Sequence, residues 1–399
     1  MKVLYYHQYF STPAGTAGTR SYALARSLVE AGHQVQMVCL QDSRTHTGLS
    51  GPFYAGCRSG LVSGIEIIEF DLPYSNHAGL LERALVFLRF SWQSLRLALR
   101  SDADLLFATT TPLTASIPGI AVRWLRGTPF VFEVRDLWPQ VLIDQGGKST
   151  KSLIVRILAW MERELYCHAS IVVVLAKGAE PFVRERGARQ TAWLPNGPDL
   201  ALFTPRPLLA DRPVFTVLYA GAHGDANALD NVLAAARLLQ QQGSVIRFRL
   251  VGDGPEKQDL IQQAIDLQTV TFEDPVPKAE IPALMAESDA ILLSLRDVPL
   301  FRYGVSPNKL YDAYALGRPV ITTVAGVINQ EVEEYGLGVT ASPGDPQALA
   351  EAIERLSQTS PQERLAMANR ARHLAQTIYS RQRINAQYDS CLREVLVQR

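Results

Sequence analysis

Short apolar segments alternate with longer amphipathic segments along nearly the whole chain. The apolar segments are rich in β-branched and aromatic residues, and the segments between them have the hydrophobic period of helices. Strands that alternate with helices form parallel sheets covered on both faces, so the pattern predicts two doubly wound α/β domains. The predicted strands are 2–6, 34–40, 65–70, 103–108, 129–134, 170–175 and 191–194, then 215–220, 246–251, 269–272, 289–293, 319–322 and 338–340.

The predicted boundary between the domains lies at 195–212, where several prolines and an Asn-Gly pair interrupt regular structure. We therefore assign 1–200 to an N-terminal Rossmann-like domain and 201–378 to a C-terminal one. The last helix, 379–399, has no strand left to cover and is expected to cross back to the first domain. Ligands of such folds bind outside the carboxyl ends of the strands, so a cleft faced by both domains is the expected site.

Composition narrows the class of protein. The 399 residues are 47% apolar and 20% charged with a net charge of zero, which fits a globular protein and argues against general affinity for nucleic acid. The four cysteines form no CxxC pair, so neither a zinc site nor a disulfide framework is indicated. No uncharged apolar run reaches the roughly 18 residues that span a bilayer. We expect a cytoplasmic protein, with membrane contact limited to its surface.

The segment 306–321 contains the most informative local pattern. Ser306 suits an N-cap and Pro307 the first helical position, so a helix is predicted from there to about Leu316. Lys309 falls in the first turn, where the helix dipole disfavours a cation by roughly 0.3–1 kcal/mol. An anion bound at the same place would offset that cost, although a surface lysine in water would look the same in the sequence.

A nucleoside diphosphate fits the chemistry of this helix start. Backbone N–H groups from Ser306 to Asn308 and the ammonium of Lys309 would bind the phosphates. Asp312, one turn further along, would bind the ribose hydroxyls. Lys309 is therefore the first candidate for a catalytic group.

Two glycine-containing turns follow predicted strands. Gly15 and Gly18 lie in a loop that feeds the first helix, where free amides can approach an anion. Gly252 and Asp253 begin a similar turn in the second half, where they could line a nucleotide base or ribose. Both spacings also occur in plain strand-to-helix connections.

Charged residues lie at the carboxyl end of one predicted strand and at the amino end of another. Arg135 and Asp136 directly follow the strand at 129–134, at the carboxyl end where ligands bind, although a surface ion pair is the alternative. Asp102 and Asp104 have the spelling of a DxD metal motif but begin a strand at its amino end. We interpret them as structural and expect no metal.

A basic amphipathic helix is predicted at 80–100. It carries Arg89, Arg96 and two further arginines among Leu, Phe and Trp, with one acidic residue. Such a helix can lie in the headgroup layer of an anionic membrane. Its arginines would equally suit an ordinary solvent face, since some of its apolar residues must pack on the sheet.

Together these residues resemble the retaining glycosyltransferases of family 4, and the resemblance covers nearly the whole chain. The SPNK and RDLWP sequences look most like the branch that builds bacterial O-antigens, capsules and exopolysaccharides, including fucosamine-transferase-like members. The resemblance is carried by the glycine loop at 15–18, GHQV at 32–35, NGPD at 196–199 with Phe203 and Pro205, VGDGP at 251–255, and DAYALGRPVI at 312–321.

The resemblance implies the GT-B fold and a metal-independent, cofactor-free transfer of a sugar with retention at the anomeric carbon. The implied donor is a nucleoside-diphosphate sugar, with a UDP-linked N-acetylated amino sugar favoured, and the implied acceptor is a lipid-linked saccharide. Two alternatives stay open. A nucleotide-sugar epimerase or hydrolase shares the fold, and a noncatalytic nucleotide- or saccharide-binding protein would explain the departures from the family pattern.

Those departures concern charge. The family's paired glutamates fall on Gly304 and Asp312 of this sequence. Its phosphate-binding Arg and Lys fall on Ala222 and Asn227, in a loop that begins near Gly221, a residue expected to bind the donor. Positive charge must then come from elsewhere to stabilise a diphosphate leaving group, and Lys309 is the nearest candidate. Further candidates from the sequence are Arg296 or Arg302 as helpers, and Arg135 and Asp136 to orient sugar or acceptor.

Overall fold

A computed structural model describes residues 1–15, 18–42, 45–74, 79–110, 112–208 and 214–398. The chain divides into two compact units, Met1–Leu194 with Asn385–Arg399, and Pro195–Ile384. The C-terminal residues therefore group with the first unit, which confirms the expected return of the last helix.

The first unit contains an eight-stranded sheet in the order β3-β4-β2-β1-β5-β6-β7-β8. All neighbours pair in parallel except β3, which is antiparallel to β4. The strands are β1 Lys2–Tyr6, β2 Gln34–Asp42, β3 Cys57–Val62, β4 Ile65–Tyr74, β5 Leu105–Thr109, β6 Phe130–Val134, β7 Ile171–Val174 and β8 Thr191–Trp193. The helices are α1 Arg20–Glu30, α2 Leu80–Arg100, α3 Ile117–Arg126, α4 Gln140–Asp144, α5 Leu153–His168 and α6 Ala179–Glu185, with a 3₁₀ turn at Leu113–Ser116.

The second unit contains a six-stranded, fully parallel sheet in the order β11-β10-β9-β12-β13-β14. Its strands are β9 Thr216–Ala220, β10 Arg247–Val251, β11 Val270–Glu273, β12 Ala290–Leu293, β13 Val320–Thr322 and β14 Gly338–Thr340. Its helices are α7 Leu229–Gln241, α8 Lys257–Gln263, α9 Ile281–Ala286, α10 Pro299–Arg302, α11 Asn308–Leu316, α12 Val327–Glu334, α13 Pro346–Ser357 and α14 Pro361–Thr377, followed by α15 Arg381–Val397.

The central strands are buried on both sides, as parallel strands covered by helices must be. All five residues of β5 and of β6 are buried, and so are all four of β12. Every strand predicted from the sequence is present. One observed strand, β3, was not predicted. It is an edge strand whose side chains are all at least partly exposed, so it lacks the apolar run that identifies a buried strand.

Each sheet has one strand at which the chain order reverses. In the first sheet β1 lies between β2 and β5, and in the second β9 lies between β10 and β12. The loops that leave such a strand diverge and open a crevice at its carboxyl end. The end of β1 and the end of β9 are therefore the places to look for binding groups. No helix in the described ranges combines the length and the hydropathy of a bilayer-spanning segment.

Candidate functional site

Two glycine turns meet at the carboxyl ends of β9 and β10. The backbone N–H of Gly221 donates to the Val251 carbonyl at 2.9 Å, and that of His223 donates to the Asp253 carbonyl at 2.8 Å. Gly252 has φ +146°, and a Cβ there would clash with the carbonyl oxygen of Gly221. The two backbones approach so closely that only glycine fits at 252. The turn at Gly221 and the turn at Gly252 therefore form one closely packed double loop.

Lys309 points its ammonium into this double loop. Its Nζ lies 4.0 Å from the centre of the Tyr219 ring, at the end of β9. A Cβ added to Gly221 would lie 2.5 Å from the same Nζ, so the ammonium rests against the glycine backbone. The structure thus brings Lys309, Gly221 and Gly252 together, as the phosphate-site hypothesis requires.

Within the described ranges, no carboxylate compensates the charge of the Lys309 ammonium. Burial alone lowers its pKa from 10.5 to about 7, and no carboxylate charge among the described residues opposes that effect. The Tyr219 ring face offers only a partial attraction for the cation. A buried cation without a counter-ion is costly unless an anionic ligand joins it, so the pocket is suited to an anion.

The helix that carries Lys309 begins later than the sequence predicts. Helix α11 starts at Asn308 and Pro307 is its N-cap, without a side-chain cap hydrogen bond. Ser306 is therefore not the cap. Its hydroxyl accepts from the backbone N–H of Asn196 at 2.8 Å and pairs with the Tyr311 hydroxyl at 3.1 Å. That competition for the hydroxyl explains the shift, and it leaves the first-turn amides of α11 without a side-chain acceptor in the part of the chain that the structure describes.

Asp312, like Lys309, lies on α11. It is half-buried, and burial raises its pKa to about 7 while Lys278 and Arg381 act in the opposite direction. A carboxylate of this kind can accept hydrogen bonds from hydroxyl groups. Its assignment to ribose stays a prediction, as does that of exposed Asp253, whose Oδ1 accepts from the Gly254 N–H at 2.8 Å.

The two candidate helper arginines already have carboxylate partners. Arg296 pairs with Asp225 and Asp230 at 2.9 and 2.8 Å, and Arg302 pairs with Asp297 at 2.9 Å. Their charges are largely compensated. Lys309 is therefore the stronger of the three candidates for a phosphate-binding cation.

In the first unit, Arg135 lies at the predicted end of β6 and contacts residues from two other strand ends. Thr110, just after β5, accepts from the backbone N–H groups of Arg135 and Asp136 at 2.8 and 3.3 Å. The Arg135 guanidinium donates to Nε2 of His7, just after β1, at 3.1 Å. A Cβ on Gly18 would lie 3.9 Å from this guanidinium. The sequence-predicted Gly18 and Arg135 are therefore neighbours, whereas Gly15 lies in a turn that closes on Thr12.

His7 is neutral in this cluster. Burial, together with the Arg135 charge, lowers the pKa of His7 to about 3. A neutral imidazole can accept the hydrogen bond from Arg135, which fixes the direction of the guanidinium. Sequence reasoning could not find this pairing, because His7 and Arg135 are far apart along the chain.

A buried network of charged and polar side chains lies next to this cluster. Glu133 accepts from the Arg20 Nε at 3.1 Å and from the Tyr388 hydroxyl at 2.6 Å. Arg20 also donates to the Tyr388 hydroxyl at 2.6 Å and to the Leu194 carbonyl at 2.7 Å. Burial opposes ionisation of Glu133, but the charges of Arg20 and Arg135 outweigh it and lower the pKa of Glu133 to about 2. The network joins α1, β6 and α15.

The DxD residues are structural, as the sequence predicts. Asp102 pairs with the Lys2 side chain, and Asp104 accepts from the Lys2 backbone N–H at 2.7 Å. Both contacts hold the amino ends of β1 and β5 together. Within the described ranges, no group of three or more His, Cys, Asp or Glu side chains is arranged to hold a metal ion.

His223 is a candidate that sequence reasoning missed. It is fully buried in the double loop, and neither ring nitrogen has a hydrogen-bond partner among the described residues. Burial, with the nearby charge of Lys257, lowers its pKa. Its ring lies 6.0 Å from the rings of Tyr219 and Phe272. It packs as a neutral aromatic side chain behind Lys309.

Comparison with known proteins agrees with this geometry. Residues 15–197 match the family described as "Glycosyl transferase 4-like domain", and residues 214–359 match "Glycosyl transferases group 1". Among curated proteins, "Probable glycosyltransferase WbjE" of Pseudomonas aeruginosa is 24% identical over 345 residues, 82% of this chain and 84% of that protein. "Amylovoran biosynthesis glycosyltransferase AmsK" of Erwinia amylovora is 31% identical over 141 residues, 34% of each chain.

The fold has a solved counterpart as well. Anabaena HepE, whose crystal structure was determined in complex with UDP and glucose, matches 99% of this chain and 100% of its own, with a TM-score of 0.67 at 20% identity. The two family matches together cover most of both units and most of the residues described above, although His7 and Tyr388 lie outside them. The chain therefore belongs to glycosyltransferase family 4 and has the GT-B fold.

Proposed function

We propose that this glycosyltransferase moves a sugar from a nucleoside-diphosphate sugar, with a UDP-linked N-acetylated amino sugar favoured, to a lipid-linked saccharide during the synthesis of a bacterial surface polysaccharide. The name of the relative AmsK supports the polysaccharide, and the UDP complex of the structural neighbour HepE supports the donor class. The amino sugar and the lipid-linked acceptor follow from the resemblance of the SPNK and RDLWP sequences to the O-antigen and capsule branch.

One observation carries the proposal. The Lys309 side chain is partly buried, and its ammonium lies against the Gly221 backbone and the Tyr219 ring in the first turn of α11, with no carboxylate partner among the described residues. Phosphate oxygens placed there would accept from the ammonium and from the free amides of the helix start. These donors would stabilise the negative charge that develops on the departing diphosphate.

The remaining steps are assigned to this chain's residues by chemistry. Asp312 would bind ribose hydroxyls, and Gly252 and Asp253 would line the nucleoside. Arg135 and Asp136 would orient the sugar or the acceptor hydroxyl. Retention would follow from attack on the same face of the sugar that the diphosphate leaves, with a phosphate oxygen taking the acceptor proton. This route needs neither a protein nucleophile nor a metal.

A ligand panel tests the donor assignment. UDP, GDP, ADP and dTDP are added separately and the melting temperature is measured, because a ligand that binds the native state raises it. We expect UDP to give the largest rise in the wild type and a much smaller one in Lys309→Ala, with Lys148→Ala as a matched control that responds like the wild type. Equal responses of wild type and Lys309→Ala would contradict the proposed phosphate site.

Turnover separates the transferase from its alternatives. With donor and lipid-linked acceptor, the wild type should form a glycosylated product, and Lys309→Ala should lose most of this activity while its melting temperature without ligand stays high. Epimer or free sugar formed from donor alone would instead identify an epimerase or hydrolase. Nucleotide binding without turnover on any lipid-linked acceptor would identify a noncatalytic binding protein.

Membrane contact through residues 80–100 is part of the same proposal, with the protein held at the cytoplasmic face of the cell membrane. Arg89 and Arg96 are exposed on α2, and each cation near an anionic surface contributes about 1 kcal/mol. Vesicles that contain phosphatidylglycerol should bind the protein, and Arg89→Glu with Arg96→Glu should release it. Binding that is unchanged in this variant would remove α2 from the proposal.

A further inference from the structure

Three helices of the first unit expose an unusual share of the apolar surface. Eleven of the twenty large apolar side chains that are exposed among the described residues lie on α2, α3 and α5. Monomeric soluble proteins rarely expose contiguous apolar surface on this scale unless it binds something. The eleven are Leu81, Leu85, Leu88, Trp92, Leu99, Trp124, Leu125, Leu153, Ile154, Ile157 and Trp160.

The sheet topology places these helices on one face. The connections β4-α2-β5, β5-α3-β6 and β6-α5-β7 all run in the same direction along the strand order. Because such crossovers are right-handed, helices of crossovers that run in one direction lie on the same side of the sheet. Helix α1, whose connection runs the opposite way, covers the other side. Helix α3 contacts both α2 and α5, so the three helices are contiguous.

The cations on these helices and on the approach to α5 are nearly free of acidic neighbours. On α2, α3 and α5, Glu82 is exposed and Glu164 is partly exposed, with the Glu164 carboxylate 3.3 Å from His168. Glu162 on α5 is buried and faces Arg186 of the same unit. No carboxylate partner is within ion-pair distance of the exposed cations in the part of the chain that the structure describes. These cations are Arg89, Arg96, Arg100, Arg126, Lys148, Lys151, Arg156 and Arg163.

We infer that this apolar and basic face, made of α2, α3 and α5, binds the surface of an anionic lipid bilayer. The inference rests on the proposed function and extends it, because the sequence pointed to residues 80–100 alone. Apolar side chains interspersed with Lys and Arg match the acyl boundary and the anionic headgroups of such a surface. The charge pattern therefore selects the partner.

A second copy of the chain fits this face poorly. A two-fold dimer brings the same patch of each subunit together, so cations would meet cations with almost no acid to pair them. Like charges placed opposite each other across an interface are repulsive. A bilayer with anionic headgroups supplies the missing negative charge over the whole face.

Tryptophan placement agrees with a bilayer interface. Trp92, Trp124 and Trp160 lie one on each of the three helices, and each is at least 60% exposed. Indole rings concentrate at the level of the headgroups, where one edge is apolar and the N–H is in a polar layer. The other two tryptophans, Trp138 and Trp193, are only partly exposed and lie outside these helices.

Vesicle binding tests the contribution of α5. The test variant is Leu153→Glu with Trp160→Glu, and its matched control is Val245→Glu with Ile265→Glu, at apolar positions of the second unit that are 66% and 91% exposed. We expect the wild type and the control to sediment with mixed phosphatidylcholine and phosphatidylglycerol vesicles, and the α5 variant to bind at least tenfold more weakly. Equal binding of the α5 variant and the control would overturn the inference.

Fluorescence quenching tests the same face with substitutions that leave the charge of the protein unchanged. Brominated acyl chains in the mixed vesicles should quench the wild type, and Trp124→Phe and Trp160→Phe should each remove part of that quenching. Trp193→Phe should remove none. Quenching that depends on Trp193, or on neither of the other two, would overturn the inference.

Two further readouts separate the possible failures. UDP-induced thermal stabilisation, measured without lipid, should be the same in the α5 variant and the wild type, because Leu153 and Trp160 lie outside the donor loops. If UDP did not raise the melting temperature of the wild type, the proposed function would be rejected and the lipid face would not. If gel filtration showed a dimeric wild type and a monomeric α5 variant, and the variant still bound vesicles, the face would be assigned to a second copy of the chain and the inference would be overturned.

Discussion

The charge state of Lys309 makes nucleotide affinity depend on pH. In the free protein, burial lowers the pKa of this ammonium to about 7, so the group loses its proton as pH rises from 7 to 9. Only the charged form attracts phosphate. A bound diphosphate favours the ammonium and raises its pKa, so binding above pH 7 takes up a proton and weakens as protons become scarce.

The size of the effect follows from the pKa. About one tenth of the lysines are charged at pH 8 and about one hundredth at pH 9, so affinity for UDP should fall roughly tenfold per pH unit in this range. The terminal phosphate of UDP titrates near pH ~6 and is already ionised above 7. Its own titration therefore does not imitate the expected slope.

Calorimetric titration of UDP at pH 7, 8 and 9 measures this slope. Lys309→Arg should bind with little change over the range, because the guanidinium stays charged. Lys309→Met should bind weakly and also without a slope. A wild-type affinity that stays constant from pH 7 to 9, or a slope that persists in Lys309→Met, would refute the reasoning.

Three further predictions concern stability. Gly252→Ala should cost about 2–4 kcal/mol in denaturant unfolding, because the new Cβ meets backbone, whereas Gly243→Ala, with φ +78° but open space around it, should cost only about 1 kcal/mol. Glu133 has a lowered pKa, so its contribution to stability is complete above about pH 4.5 and is lost as pH falls toward 2; Glu133→Gln should flatten that part of the curve. Without ligand, Lys309→Met should stabilise the protein by about 4 kcal/mol at pH 7, and this gain should shrink as pH rises toward 10.5 and the wild-type lysine becomes neutral; a constant gain would contradict a lowered pKa.

The fold was predictable because its strands are buried on both faces. Strands such as β5, β6 and β12 consist of consecutive buried residues that are nearly all apolar, a pattern that few helices share. The edge strand β3 lacks that pattern. The short helices α4 and α10 contain too few residues to show a helical period.

The site was predictable only where its signals are local. Glycine turns after strands and a lysine in the first turn of a helix can be recognised within a few residues, and the structure places Lys309 against Gly221. The network of Glu133, Arg20 and Tyr388 joins parts of the chain that are far apart, so no local pattern marks it. The cap of α11 was predicted wrongly because the hydroxyl of Ser306 is engaged by a distant backbone group.

The lipid-binding inference depends on structure for a related reason. Along α3 and α5 the apolar residues repeat with a helical period, which in the sequence indicates a face packed on the sheet. Only the fold shows that Trp124, Leu153 and Trp160 are on the other side of their helices and exposed.

A crystal structure of the protein with UDP tests the central claim most directly. The account predicts a β-phosphate oxygen about 2.7–2.9 Å from Nζ of Lys309, the spacing of a charge-assisted hydrogen bond, with the first amides of α11 facing the same phosphate. A diphosphate bound elsewhere, with the Lys309 ammonium still stacked on the Tyr219 ring and not in contact with any anion, would contradict it.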